Sequence, residues 1–166
     1  GCDMLNGVTV THCCNCARAG GLLAGRCSAA LDRRGGHALR CMLGGGPVQR
    51  HDAVRGALKE WLGSIGVKAD TEQDIPEWCL PDARAVLDVV YRGRTAGRVC
   101  IDVSVTDGAE FARLGRPWRH VLERRERRKH RRYPGPGLRP FVIDVGGRWG
   151  GGGAQAWRQP VSHRGR

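Results

Sequence analysis

Two aspartates, Asp88 and Asp102, each sit inside a β-branched run of the stretch LDVVYRGRTAGRVCIDVSVTD, Leu87 to Asp107. The runs read as strands over 86–92 and 99–105, joined by a Gly/Arg-rich turn. With the turn centred on Thr95, and Gly93 and Gly97 symmetric about it, Asp88 faces Asp102 across an antiparallel pair. Facing residues in such a pair have Cβ atoms about 5 Å apart, and like charges there are destabilising unless a cation lies between them. A hard divalent ion such as Mg²⁺ takes one or two carboxylates and fills its other positions with water and phosphate oxygens. Such an ion acidifies an attacking water and neutralises charge growing on a phosphodiester, which is metal-assisted hydrolysis. The plainer reading is two strand aspartates facing solvent.

A second segment bears on that choice. In WRHVLERRERRKHRRY, a helix over 118–133, Trp118, Leu122, Lys129 and Tyr133 fall on one stripe. Lys129 is the sole lysine of a helix otherwise supplied with arginine. A lysine is a compact donor whose pKa can be tuned, suited to orienting water or stabilising a pentavalent phosphate; alternatively it snorkels past a core edge. The arginines around it, chiefly Arg124, Arg125, Arg128 and Arg132, would grip a phosphate backbone without reading sequence.

The whole chain carries the same bias. Its 28 Lys+Arg against 16 Asp+Glu give a net charge of +12, mostly arginine. That field concentrates polyanions, which makes nucleic acid the first partner to consider and a merely solubilising basic tail the second. No apolar run approaches the roughly 20 residues of a membrane span, so no membrane partner is expected. The first residue is Gly1 rather than an initiator Met, and the sequence is expected to begin within a longer protein.

These segments need a scaffold. RHDAVRGALKEWLGSIG reads as a helix from the spacing of Val54, Leu58, Trp61, Leu62 and Ile65, with Asp52 as N-cap and Gly66 as the stop. A short extended piece follows at 67–72, then the hairpin, the arginine-rich helix and a buried strand in PFVIDV, Pro140 to Val145. Helix, strands, helix, strand make a mixed α/β class. The expected divisions are a Cys/His region over 1–46 ending in Gly44 to Gly46, a core over 47–150, and a Gly/Arg-rich tail over 151–166.

Most of the eight cysteines fall in the first region beside a histidine, which favours metal ligation over disulfides. Cys27, His37 and Cys41 in CSAALDRRGGHALRC have spacing suited to a tetrahedral Zn²⁺. The fourth ligand is open among Cys13, Cys14 and Cys16, with Cys16 adopted. Cys79 and Cys100 are expected to pack in the core.

Taken in order, CSAALDRRGGHALRC, RHDAVRGAL, LDVVY…IDVSVTD, KHRRY and FVIDVGGRWG resemble the PD-(D/E)XK nuclease superfamily. Within it, the chain is similar over nearly its whole length to the restriction-like endonuclease domain of site-specific non-LTR retrotransposon proteins. The resemblance implies a restriction-endonuclease-like core, a central mixed sheet flanked by helices, preceded by a small zinc knuckle. It implies that Asp88 and Asp102, thirteen residues intervening, bind the catalytic Mg²⁺. The superfamily's usual lysine lies two residues after the second acid, where this chain has Ser104. The retrotransposon branch instead places a lysine on the next helix before a tyrosine, which Lys129 and Tyr133 match. His51 is carried from a similar Arg-His pair, although a histidine at a helix start is more often structural. Two departures stand: Ala24 replaces a cysteine of the knuckle, and Pro81-Asp82 offers a rival motif aspartate, which the hairpin register would pair beyond the strand end. The implied activity is nicking of double-stranded target DNA in the nucleus, leaving a 3′ hydroxyl for the reverse transcriptase region of the same polyprotein, with element RNA as a further partner. The rival is a non-catalytic zinc- and arginine-based nucleic-acid-binding module, or an inactivated copy.

Overall fold

The computed structural model describes residues 41, 45–93, 97–107, 115 and 117–153. The chain divides into two compact units, 1–50 and 51–166. Of the first, the description covers Cys41, which is buried, and the opening of a helix. Cys16, Cys27 and His37 lie outside the described residues.

That helix, α1 (Gly46–Ser64), is followed by β1 (Ala69–Asp74), a 3-10 turn (Pro76–Trp78), β2 (Val86–Gly93), β3 (Gly97–Thr106), α2 (Trp118–Arg132) and β4 (Leu138–Asp144). The fold is α/β, with a four-stranded mixed sheet in the order β1-β2-β3-β4. The β1–β2 and β2–β3 pairs are antiparallel, and β4 returns parallel to β3 after α2. A parallel return needs a crossover, which α2 provides. The near-continuous apolar run of β4 suits a strand buried on both faces.

Helix α1 starts earlier than its apolar spacing predicts. Pro47 fits the first turn, where a missing N–H costs nothing, so the helix begins at Gly46 and Asp52 is an interior residue rather than its N-cap. The Asp52 carboxylate instead pairs with Arg55 at 3.2 Å. Gly46, expected to close the Cys/His region, is therefore the first residue of the helix. The stop at Gly66 holds: its φ is +75°, its N–H donates to Gly63 O, and Val67 N–H donates to Leu62 O. Those two bonds are a Schellman ending, which a Cβ at the left-handed position would strain.

Strand alternation sorts the core into two clusters. Val99, Ile101 and Val103 of β3 pack with Val89, Phe141 and the buried Leu58 and Leu62 of α1. Cys100 packs with Leu87, Leu138, Trp78 and Tyr133. Even-numbered β3 residues face α2, since Lys129 reaches Asp102 and Arg125 reaches Ser104. Cys100 is buried as expected, but Cys79 is exposed, its Sγ accepting the Ala85 N–H at 3.3 Å.

The glycine run after Trp149 belongs to this packing. Gly150 N–H donates to Val142 O, and Gly152 N–H donates to the Glu126 carboxylate of α2 at 2.9 Å. An added Cβ at Gly150 would stand 2.2 Å from Glu126 Oε1. The core thus reaches at least Gly153, past the expected division at 150; residues 154–166 lie outside the described residues.

Candidate active site

The hairpin register follows the turn centre expected from sequence. Gly93 pairs with Gly97 and Val89 with Ile101, so the next position in that register brings Asp88 to Asp102. The ladder stops at this point. Val103 N–H, which would face β2 at the following position, donates to Asp88 Oδ2 at 2.6 Å. On the other side of β2, Thr71 pairs with Val89 and Gln73 with Leu87, leaving Glu72 and Asp88 unpaired between them. Glu72 has φ +54°, and its side chain turns to Arg55. Asp88 therefore lies where both ladders of β2 are interrupted. Left-handed backbone at a non-glycine residue stores strain, and such strain gathers at functional sites.

Four side chains meet here. His51 Nε2, from α1, is 3.3 Å from Asp88 Oδ2. The hairpin register sets the two carboxylates side by side, and each shifts the proton affinity of the other. Lys129 Nζ, from α2, lies 2.7 Å from Asp102 Oδ2, but out of line for a hydrogen bond, so that buried oxygen has no aligned donor. The Asp102 side chain is 7 % exposed and that of Asp88 15 %.

Their environments push the acids apart. Burial raises the Asp102 carboxyl to about 6; Lys129 pulls it down and neighbouring Asp88 adds to the rise. Burial also acts upward on Asp88, but the hydrogen bond and charge of His51, the Val103 N–H and the Asp102 carboxyl outweigh it and hold Asp88 below the usual carboxylate range. His51 is raised, chiefly by its hydrogen bond to Asp88, against a smaller opposing effect of burial. Two carboxylates with divergent proton affinities in one site are a mark of chemistry as well as of ion-pair networks.

The geometry gives His51→Ala a signed pH dependence. A raised histidine pKa contributes stability that is fully present below its ordinary value of 6.5 and is lost as pH rises through the folded-state value. Chemical denaturation is expected to show a larger deficit for His51→Ala at pH 6 than at pH 9, and an equal deficit at both would contradict the contact.

Tyr133 is buried at the end of α2 beside Trp78, with ring centroids 6.4 Å apart. Burial is the main cause that lifts its phenol pKa, with the charges of Asp102 and Asp88 adding to it. Arg124, Arg128 and Arg132 are exposed, at intervals of four along α2. Arg125 differs from the expectation of an outward grip: it is half-buried, and its Nε donates to Ser104 Oγ at 3.1 Å. The Ser104 hydroxyl thus anchors α2 to β3. Asp82 is exposed in the turn closed by Leu80 and Ala83, before β2 begins.

The chain matches no protein-family model and no curated protein. Among the described residues, no three His, Cys, Asp or Glu side chains gather as a ready-made metal-ligand set, and no helix is long and apolar enough to cross a membrane.

One contact and one residue escaped the sequence reading. His51 is carried from the Arg-His pair alone, and nothing in the spacing points it at Asp88, because the two are 37 positions apart. Asp144 sits at the end of β4, its side chain fully buried, and accepts the N–H groups of Gly146 and Arg148 and the Arg148 Nε at 2.6 Å. An aspartate followed by Val-Gly-Gly-Arg is a turn signal that could have marked it.

Proposed function

We propose that residues 51–153 form the core of a Mg²⁺-dependent DNA endonuclease of the PD-(D/E)XK type, similar to the restriction-like domain of site-specific non-LTR retrotransposon proteins. The observation that carries the reading is the junction of Asp88, Asp102 and Lys129 where the ladders of β2 open. Asp88 and Asp102 would hold the metal. The fit rests on Asp102 Oδ2, a buried carboxylate oxygen with no aligned donor beside a second carboxylate. Bound there, Mg²⁺ supplies Lewis acidity toward a phosphate oxygen and a more acidic water.

The chain's own residues supply the rest. Val103 N–H and His51 fix the Asp88 carboxylate in one orientation and keep it ionised. Lys129 brings a positive charge to Asp102, where it can stabilise the charge that builds on the scissile phosphate. Tyr133, buried one turn after Lys129, would support the lysine from the end of α2. Arg124, Arg128 and Arg132 hold duplex phosphates along α2. A zinc knuckle built by Cys16, Cys27, His37 and Cys41 would precede this core, and the reverse transcriptase region of a longer polyprotein would extend the 3′ hydroxyl that a nick leaves. Nicking of supercoiled plasmid in Mg²⁺, compared between wild type and Asp102→Asn at equal DNA binding, tests the reading. Binding without nicking by the wild type would leave the non-catalytic module.

A further inference from the structure

Trp118 and Trp149 flank a cleft of about 240 Å³ at the opposite end of α2 from Lys129, which the proposed chemistry does not use. Arg119, Glu123 and Gly151 complete the walls that matter. Arg148 adds a fixed cation: its guanidinium lies 5.2 Å from the Trp118 ring centroid while its Nε is held by buried Asp144. Arg119 lies 5.6 Å from the same ring. Clefts for drug-sized ligands run to about 300–1,000 Å³, so this one suits a single planar ring system.

We propose that the cleft holds one unpaired nucleobase of DNA. Tryptophan rings and guanidinium planes are the surfaces on which extruded bases stack, and arginines at the rim meet the flanking phosphates. The net charge of +12 and the arginine row on the same helix favour a nucleic acid over any neutral aromatic ligand. Glu123 is an acceptor at the wall, and a carboxylate there favours the N4 amine of cytosine over thymine. Trp118 and Lys129 are eleven residues apart on α2, about 16 Å along the axis. A strand running along α2 would place the held base about five nucleotides from the cut phosphate, at about 3.4 Å per step. That spacing rests on the nuclease reading; occupancy of the cleft does not.

The test is fluorescence anisotropy of the full chain, loaded with stoichiometric Zn²⁺ and without Mg²⁺, with duplexes carrying a bulged cytosine or a bulged abasic residue, which differ in the presence of the base. Wild type and Asp102→Asn are expected to bind the cytosine bulge about 10-fold more tightly. Trp118→Ala is expected to lose that preference. So is Gly151→Leu, since Gly151 is exposed and an added Cβ meets only Glu126 Oε2, at 3.9 Å, leaving room for a side chain that fills the cleft. Equal affinity of wild type for both duplexes, or full preference retained by both cleft variants, would overturn the proposal. Nicking is scored separately in Mg²⁺: preference without nicking keeps the cleft and removes the nuclease, and nicking without preference does the reverse.

Discussion

Asp102→Asn is expected to abolish Mg²⁺-dependent nicking, by at least about 100-fold, while DNA binding persists. The same substitution is expected to make the chain more stable at pH 8. In the folded chain the Asp102 carboxyl holds its proton up to about 6, against an ordinary value of 3.8. A group with a raised pKa contributes stability that is fully present below pH about 4 and lost as pH rises through about 6. The wild type therefore carries a buried, poorly aligned carboxylate at pH 8, and asparagine does not. The gain should be about 1–3 kcal/mol at pH 8 and should vanish near pH 4. Lys129, with its side chain 19 % exposed, can turn its ammonium to water when its partner is gone. Urea denaturation at both pH values beside the nicking assay checks the two halves together. Undiminished nicking would remove Asp102 from the chemistry, and a loss of stability at pH 8 would mean that the pair is structural.

Lys129→Met is the second large effect and has the opposite sign in stability. Methionine keeps the length of the side chain and its packing on the α2 face, but removes the charge 2.7 Å from Asp102 Oδ2. Nicking is expected to fall about 100-fold or more if the ammonium stabilises the reacting phosphate. Lys129 is the first opposing influence on the raised Asp102 pKa, so its loss sends that pKa higher and costs stability at pH 8. Arginine at 129 restores charge but not the compact point donor, and should recover only part of the rate. The double variant with Asp102→Asn should regain the stability that Lys129→Met loses, since the two residues are in direct contact and their effects do not add. Equal nicking by Lys129→Met and wild type would assign the lysine to packing alone.

The legible parts of this protein were those with local signals. The hairpin register was readable because Gly93 and Gly97 frame the turn symmetrically, and the α2 stripe because Trp118, Leu122, Lys129 and Tyr133 repeat at helical spacing. The start of α1 was misjudged because apolar periodicity begins at Val54 while the helix itself begins at Gly46, where Pro47 supports the first turn. Arg125 looked like its neighbours, and only the depth of Ser104 on β3 draws it inward. The opening of both ladders at Asp88 left no trace in sequence, for it depends on a side chain replacing a main-chain partner and on left-handed backbone at Glu72, a residue with no preference for it. The approach of His51 to Asp88 depends on how the first turns of unit 51–166 meet β2, which no spacing encodes.

The central claim is that Asp88 and Asp102 together hold a divalent ion. Its most direct measurement is titration of Mn²⁺ into the full chain, with Zn²⁺ present to saturate the cysteine sites, for wild type, Asp88→Asn, Asp102→Asn and the double variant. One Mn²⁺ site in the wild type, lost as completely in either single variant as in the double, is the expected result. Mn²⁺ binding that is unchanged by both substitutions would contradict the account.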